Sequence, residues 1–90
     1  MFWLPGNAGG LSAANFAGPI IPVGPINGVN AAFTLPQAPT GFLMVFLNGV
    51  LQIPGGVDYT LAGAIITFVA GNIPSGGPPA DTIVAYYIHA

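Results

Sequence analysis

The chain has 90 residues, enough for one small domain, and 53% of them are hydrophobic while only 2% are charged; soluble domains usually carry about 25% charged residues. It contains no Lys, no Arg and no Cys, which excludes a basic surface for nucleic acid, a basic cluster for anionic membranes, disulfides and cysteine metal sites. Because a domain of this size has a modest core, we expect neighbouring subunits to cover the remaining apolar surface.

The mean hydropathy of +0.79 raises the question of a membrane span. A spanning helix needs about 20 consecutive apolar residues, whereas an apolar run such as Phe42 to Leu47 ends after a few residues, here at Asn48-Gly49. The N-terminus has no basic residue and no continuous apolar stretch, unlike a signal peptide. We therefore expect a chain that is made in the cytoplasm, is not processed and does not insert into a membrane.

Residues 1–30 are rich in Gly and Pro and predict an extended N-terminal arm. The arm is apolar, whereas disordered tails are usually polar and charged, so we expect it to lie on a surface, either of its own domain or of a neighbour. Aromatic residues near its start are candidate anchors for a neighbour's pocket, since interface hot spots favour large aromatics; packing on the chain's own domain is the alternative. The candidate interface residues of the arm are Phe2, Trp3, Phe16, Ile20 and Ile21.

Residues 31–90 predict an all-β domain of about six strands, because short apolar runs alternate with Gly, Pro and Asn turn signals. Asn48-Gly49 is the strongest hairpin signal, since a type I′ turn needs positive φ at both central residues; a second hairpin is predicted around Ala62-Gly63. No segment has the length and the 3.6-residue period of a helix. The expected fold is a small antiparallel β-sandwich or partly closed barrel, with strands at 33–35, 42–47, 50–53, 59–61, 64–69 and 82–89.

Three of these strands are apolar on both faces, or nearly so, at 42–47, 65–69 and 83–88. A sheet with one solvent-exposed side alternates apolar and polar residues, so we expect one face to fill the core and the other to need a partner subunit. The arm or a loop of the same chain is the alternative cover. The interface candidates on the first of these strands are Phe42, Met44 and Phe46.

Five polar or turn residues are predicted to specify the fold, not to bind a ligand. Gln52 can hydrogen bond across the sheet or to a loop. Asp58 and Asp81 each come just before a strand, where a carboxylate can bond to the backbone of a turn. The remaining two are the hairpin residues Asn48 and Gly49.

The titratable side chains form no pattern typical of an enzyme or a metal site. They are Asp58, Asp81, His89 and three tyrosines, and a triad of Ser12 or Ser75 with His89 and an aspartate lacks a nucleophile-elbow motif. Zinc needs four clustered ligands, and the Gly-rich stretches lack the lysine of a phosphate-binding loop. We therefore predict no catalytic residue, no cofactor and no metal. His89 is open to two interpretations, a pH sensor at an interface or an exposed terminal imidazole.

The second half of the chain contains four strings in a set order. They are Asn27-Gly-Val-Asn-Ala-Ala-Phe-Thr-Leu, Phe46-Leu-Asn-Gly-Val-Leu-Gln, Gly56-Val-Asp-Tyr-Thr-Leu-Ala-Gly-Ala-Ile-Ile-Thr-Phe and Pro79-Ala-Asp-Thr-Ile-Val-Ala-Tyr-Tyr. Together they resemble a small β-module that recurs in tail, fibre and head-associated structural proteins of tailed bacteriophages. The resemblance covers roughly residues 27–87. The chain departs from the module's pattern in the long loop at 71–80 and in the N-terminal arm.

The resemblance implies a non-enzymatic structural component of a phage virion. We expect a tail, appendage or fibre-associated subunit that acts by self-association and by docking of its arm. Its expected partners are other copies of the chain, in a trimer or higher ring by analogy with phage fibres, and other virion proteins. A capsid decoration protein of the phage head is the alternative within this class. A receptor- or glycan-binding module and an extracellular fibre subunit built by strand exchange are alternatives from other classes.

Overall fold

A computed structural model describes residues 12–90, which form an all-β fold of two antiparallel sheets. A short 3-10 helix, Ala13–Asn15, precedes the first strand. The strands are β1 (Phe16–Ile20), β2 (Ala32–Thr34), β3 (Pro39–Leu47), β4 (Val50–Leu51), β5 (Tyr59–Ala62), β6 (Ile65–Phe68) and β7 (Ile83–His89). Sheet A has the order β1-β7-β3-β4 and sheet B the order β2-β6-β5. The predicted antiparallel all-β class is confirmed, and the described sheets do not close into a barrel.

The hairpin between β3 and β4 has the predicted turn. Its central residues, Asn48 and Gly49, have φ values of 53° and 80°, which is the positive φ at both positions that a type I′ turn requires. Leu47 consequently lies opposite Val50. Because β4 ends at Leu51, it is two residues shorter than predicted.

The hairpin between β5 and β6 turns one residue later than predicted. Ala62 lies opposite Ile65, so the two central residues of the turn are Gly63 and Ala64. Gly63 has a φ of 59°, and a type II′ turn requires positive φ at its first central position. Glycine adopts this conformation at no steric cost, which explains why the first central residue of the turn is Gly63 and not Ala62.

The core lies between the two sheets and takes alternate residues from their strands, as the two-residue period of a strand requires. Phe33 and Phe68 pack edge to face, with ring centroids 5.8 Å apart. The buried Tyr87 hydroxyl donates a hydrogen bond to Oε1 of Gln37 at 2.5 Å, so its polar atom is satisfied. The buried apolar residues are Phe33, Leu35, Val45, Tyr59, Ile66, Phe68, Ile83, Ala85 and Tyr87.

Part of the predicted arm belongs to the two sheets. The strand β1, at the edge of sheet A, places Phe16 opposite Ile88. Farther along, Val23 exchanges two backbone hydrogen bonds with Thr34 at the edge of sheet B, at 2.8 and 2.9 Å. The sandwich therefore begins before residue 31, and this part of the arm lies on its own domain. Sequence analysis missed β1 because its register shifts between Ala17 and Ile20, which removes the two-residue period.

Candidate interaction surface

The outer face of sheet A is apolar on all four of its strands. Leu43, Leu47 and the buried Val45 pack on the core, so Met44 and Phe46 point to the opposite side. The strand register extends this face across the sheet, because Met44 lies opposite Tyr86 and Phe46 opposite both Val84 and Leu51. With the pair Phe16 and Ile88, the outer face of sheet A consists of Phe16, Met44, Phe46, Leu51, Val84, Tyr86 and Ile88.

Much of this face is open to solvent. Phe16 is 57% exposed, Leu51 52% and Tyr86 38%. Phe46 and Tyr86 pack edge to face with their ring centroids 6.0 Å apart, so Tyr86 covers part of the half-buried Phe46 ring. Gly18 of β1 lies against the Tyr86 ring, where a Cβ atom at Gly18 would come within 2.4 Å of Cδ2. The outer face of sheet A is therefore a continuous packed apolar surface.

The outer face of sheet B has a different character. Thr67 lies opposite Thr60 on one side and Ala32 on the other, and all three are exposed. The sequence analysis expected both faces at 65–69 to be apolar, and this expectation is wrong at Thr67. Threonine hydroxyls on an exposed strand face are compatible with water, so the outer face of sheet B, which also carries the exposed Ile65, is less apolar than the outer face of sheet A.

Asp58 is held in the loop before β5. Its carboxylate accepts a hydrogen bond from the Ile53 backbone N–H at 2.8 Å and another from the Asn72 side chain at 2.7 Å. The buried Gln52 beside this loop donates from Nε2 to the Val50 carbonyl oxygen at 2.9 Å. Both side chains therefore hydrogen bond within or next to this loop, and such a fold-specifying role is the one that the sequence analysis predicted for them.

Asp81 is held between the β3–β4 hairpin and the loop before β7. Its carboxylate accepts hydrogen bonds from the Asn48 side chain at 2.9 Å and from the Ser75 backbone N–H at 2.7 Å. The first of these bonds, helped by the second, lowers the pKa of Asp81 below its ordinary value. Neither carboxylate of the chain lies on a strand of sheet A, so the outer face of sheet A carries no charge.

An open cavity of about 280 Å³ lies between the start of β3 and β5. Its walls include Phe42 and Leu43 from β3, Tyr59 and Leu61 from β5, and Pro54. Phe42 is 43% exposed and stands two residues before Met44, so it lies at the margin between the cavity and the outer face of sheet A. Burial raises the pKa of Tyr59 above its ordinary value. All five of these side chains are uncharged.

The predicted interface residues fall into three groups. Phe16, Met44 and Phe46 lie on the outer face of sheet A, with Phe42 at its margin, and Ile21 is exposed at 73% beyond β1. Ile20 instead packs on the core while it stays partly exposed, because it lies opposite the buried Ala85; its assignment to an interface stays a prediction. Phe2 and Trp3 lie outside the described residues. The residues that sequence analysis did not name, although their strands alternate in the same way, are Leu51, Val84, Tyr86 and Ile88.

The titratable residues do not form a chemical site in the described part of the chain. Asp81 stands two residues before β7 and His89 is the last residue of that strand, so β7 alone separates them by about 20 Å at a rise of 3.3 Å per residue. Across residues 12–90 there is no group of three or more His, Asp or Glu side chains placed to hold a metal ion. None of the helical residues in that range forms a helix long and apolar enough to cross a membrane.

Comparison with known proteins finds no counterpart of this sandwich. No family model matches the chain, and neither a curated protein nor a solved structure matches it at a significant level. The resemblance to phage virion modules stays a prediction. The role of the chain is therefore inferred from its own surfaces.

Proposed function

We propose that this chain is a non-enzymatic structural subunit of a bacteriophage virion, a tail, appendage or fibre-associated component that assembles through the outer face of sheet A. The observation that carries this proposal is the row of seven uncharged apolar side chains that crosses all four strands of that sheet. Three of the seven are exposed and four partly exposed, and a contiguous apolar patch of this kind is typical of a contact surface, since monomeric proteins seldom expose large ones.

Covering this face stabilises an assembly. Phe16 is 57% exposed, so a partner removes on the order of 100 Å² of it from water, given the roughly 200 Å² that an aromatic side chain can bury. At about 25 cal/mol per Å² this burial contributes on the order of 2 kcal/mol. Leu51 is 52% exposed and Tyr86 38%, so their burial adds to this contribution. Exposure of these side chains to water is unfavourable in every copy of the chain. Contact with a second apolar face removes their surface from water and so stabilises the assembly.

The charge of the chain favours another copy as the partner. The formal net charge is −2 at pH 7, which gives little repulsion between copies. Because the outer face of sheet A has no charge to match, an equally uncharged surface suits it best. The same face on a second copy meets that requirement.

The edges of sheet A favour face-to-face packing over strand exchange. The strand β4 has two residues, Val50 and Leu51. At the other edge β1 contains Pro19 and a register shift, and proline cannot donate to a ladder of hydrogen bonds. Short and interrupted edges are poor templates for an added strand. This geometry supports a closed oligomer over an open fibre, and a trimer or higher ring is the form expected by analogy with phage fibres.

The virion part of the proposal rests on the resemblance of residues 27–87 to small modules of phage structural proteins. It is tested by mass spectrometry of purified particles from a phage that encodes the chain, where we expect it in many copies. The chain has no Lys or Arg, so the digestion requires a protease that cleaves at aromatic residues. Absence of the chain from intact particles contradicts the virion assignment.

Self-association is tested by light scattering of the purified chain and of a matched pair of variants. Met44→Asp puts a charge in the middle of the outer face of sheet A, and Thr67→Asp puts one on the outer face of sheet B. We expect an oligomer for the wild type and for Thr67→Asp, and a monomer for Met44→Asp. Leu51→Asp, at the exposed edge of the same face, repeats the test if Met44→Asp does not fold. A wild type that stays a folded monomer at high concentration contradicts the proposal.

A further inference from the structure

The two long sides of the sandwich differ in shape. On one side, β1 at the edge of sheet A is followed by residues 21–23, which cross to sheet B and pair there with β2 through the bridge between Val23 and Thr34. On the other side, β4 pairs only with Phe46 and Leu47 of β3, and the cavity between β3 and β5 lies along this side. One side is therefore closed by a crossing segment, and the other side is open.

Residues 21–23 form an apolar ridge on the closed side. Ile21 is 73% exposed and Val23 74%, while Pro22 between them is buried, as the two-residue period of extended backbone requires. The two exposed side chains therefore point away from the sandwich, about 7 Å apart. Pro22 has no N–H and a fixed φ, so the ridge binds through its side chains, and its backbone loses little conformational freedom when it does so.

We propose that the ridge of one copy of the chain packs into the cavity of the next copy, with Ile21 inside the cavity. This inference rests on the proposed function, because it states how copies that assemble through the outer face of sheet A are placed side by side. A contact between two unlike sides repeats from copy to copy and forms a ring when its rotation closes. With the outer faces of sheet A directed at the ring axis, the β1 side of each copy meets the β3–β5 side of its neighbour.

The cavity suits an aliphatic side chain in size and polarity. Its volume is about 280 Å³, and a cavity of roughly 150 Å³ already holds a benzene molecule. Neither the walls of the cavity nor the ridge carries a charged group, so each is a suitable apolar partner for the other.

Both features adjoin the outer face of sheet A. Phe42 lines the cavity and lies at the margin of that face. At the opposite edge, Phe16 lies on the face in β1, the strand that leads into the ridge. The contact between ridge and cavity is therefore continuous with the contact proposed for the outer face of sheet A.

The position of the ridge distinguishes it from other exposed aliphatic side chains. Val50 and Ile53 lie in and just after β4, on the same side as the cavity, and Ile65 lies on the outer face of sheet B. A contact of Val50 or Ile53 with the cavity pairs two like sides about a two-fold axis, and the ridge of both copies then stays in water. The contact between unlike sides covers the ridge and the cavity of every copy in a ring, which removes both apolar surfaces from water.

Disulfide trapping tests this contact, since the chain has no cysteine of its own and a disulfide requires Cα atoms within about 7 Å of each other. Isotopically labelled Ile21→Cys is mixed with unlabelled Leu61→Cys under conditions of subunit exchange and then oxidised, and intact mass identifies the linked pairs. We expect the mixed disulfide in several-fold excess over either symmetrical one. Ile65→Cys replaces Ile21→Cys as the matched control, and we expect no such excess with it. Phe42→Cys, in the same cavity wall, replaces Leu61→Cys if that variant does not fold.

Light scattering of the wild type separates failure of this contact from failure of the proposed function. If the wild type is oligomeric but Ile21→Cys and Leu61→Cys give no excess of the mixed disulfide, the contact between ridge and cavity is overturned and self-association stands. A symmetrical Leu61→Cys disulfide as the main product overturns the contact as well, because two cavity sides then meet about a two-fold axis. A monomeric wild type contradicts the proposed function and, with it, the ring.

Discussion

Asn48 and Asp81 are 33 positions apart in the chain, and Nδ2 of Asn48 donates a hydrogen bond to the Asp81 carboxylate at 2.9 Å. Asn48 also accepts a hydrogen bond from the Thr82 backbone N–H at 2.9 Å through its side-chain oxygen. One residue thus forms the turn between β3 and β4 and attaches that turn to the start of β7. Its short amide side chain serves both roles, because asparagine tolerates positive φ better than other residues with a side chain.

The two roles of Asn48 can be separated by substitution. Asn48→Gly keeps the positive φ but loses the side-chain hydrogen bonds, so we expect it to lower the free energy of unfolding by about 1–2 kcal/mol. Asn48→Ala loses the same bonds and adds strain at a φ of 53°, which costs roughly a further 1–2 kcal/mol. Denaturant unfolding measures both changes. If Asn48→Gly is as stable as the wild type, the contacts with Asp81 and Thr82 contribute nothing.

Acid is expected to destabilise the fold through Asp81. Because hydrogen bonds lower its folded pKa below the ordinary value of 3.8, the stabilisation is complete above that value and disappears as the pH falls through the lower folded pKa. We expect the free energy of unfolding to decrease as the pH falls below about 4. Asp81→Asn should be less stable at neutral pH and show a shallower decrease in acid. Parallel curves for the wild type and Asp81→Asn would rule this role out.

Gly18 is required by its contact with Tyr86. A Cβ atom at Gly18 would lie 2.4 Å from the Tyr86 ring, and the φ of 141° there is one that residues with a side chain rarely adopt. We expect Gly18→Ala to lower the melting temperature clearly more than Gly28→Ala, where φ is 80° and no atom lies near the added Cβ. In a Tyr86→Ala background the difference between the two glycine variants should shrink. A Gly18→Ala variant no worse than Gly28→Ala contradicts the contact.

The two adjacent tyrosines of β7 are expected to respond differently to loss of their hydroxyl groups. Tyr87→Phe removes the donor to Gln37 from a buried position and leaves the amide oxygen without this partner, so we expect a loss of about 1–2 kcal/mol. Tyr86→Phe changes a residue on the outer face of sheet A that is 38% exposed, and we expect little change. Thermal unfolding of the two variants gives the comparison, and equal losses would contradict the assigned role of the Tyr87 hydroxyl.

The strands from β2 to β7 were predictable because turn residues separate them. Asn48-Gly49 and Gly63 each form a turn between two strands that follow one another in the chain. Such turns depend on the conformational preferences of one or two residues, and these can be recognised from the sequence. The strand β1 was not predictable, since Gly18 and Pro19 interrupt its period and its pairing partner, β7, is far along the chain. Extended backbone was expected there, and its pairing was not.

The sequence predicted that an apolar sheet face needs a partner, but it did not predict all the residues of that face. Apolar residues on both faces of β3 and β7 indicated that one face needs cover. Which residues share that face depends on the register between strands, as in the pairing of Phe46 with Leu51, and register is a property of the folded sheet. The register shift in β1 likewise decides that Ile20 packs on the core, and the sequence does not show that shift.

The uncharged outer face of sheet A also determines how temperature and salt act on any contact it forms. Such a contact has no ion pairs for sodium chloride to screen, so its strength should change little with ionic strength in the millimolar range. Burial of apolar surface has a large heat-capacity change and weakens on cooling, and excluded salts such as sulfate strengthen it. An assembly held by this face would loosen in the cold and tighten in ammonium sulfate, a response opposite to that of a charge-based interface.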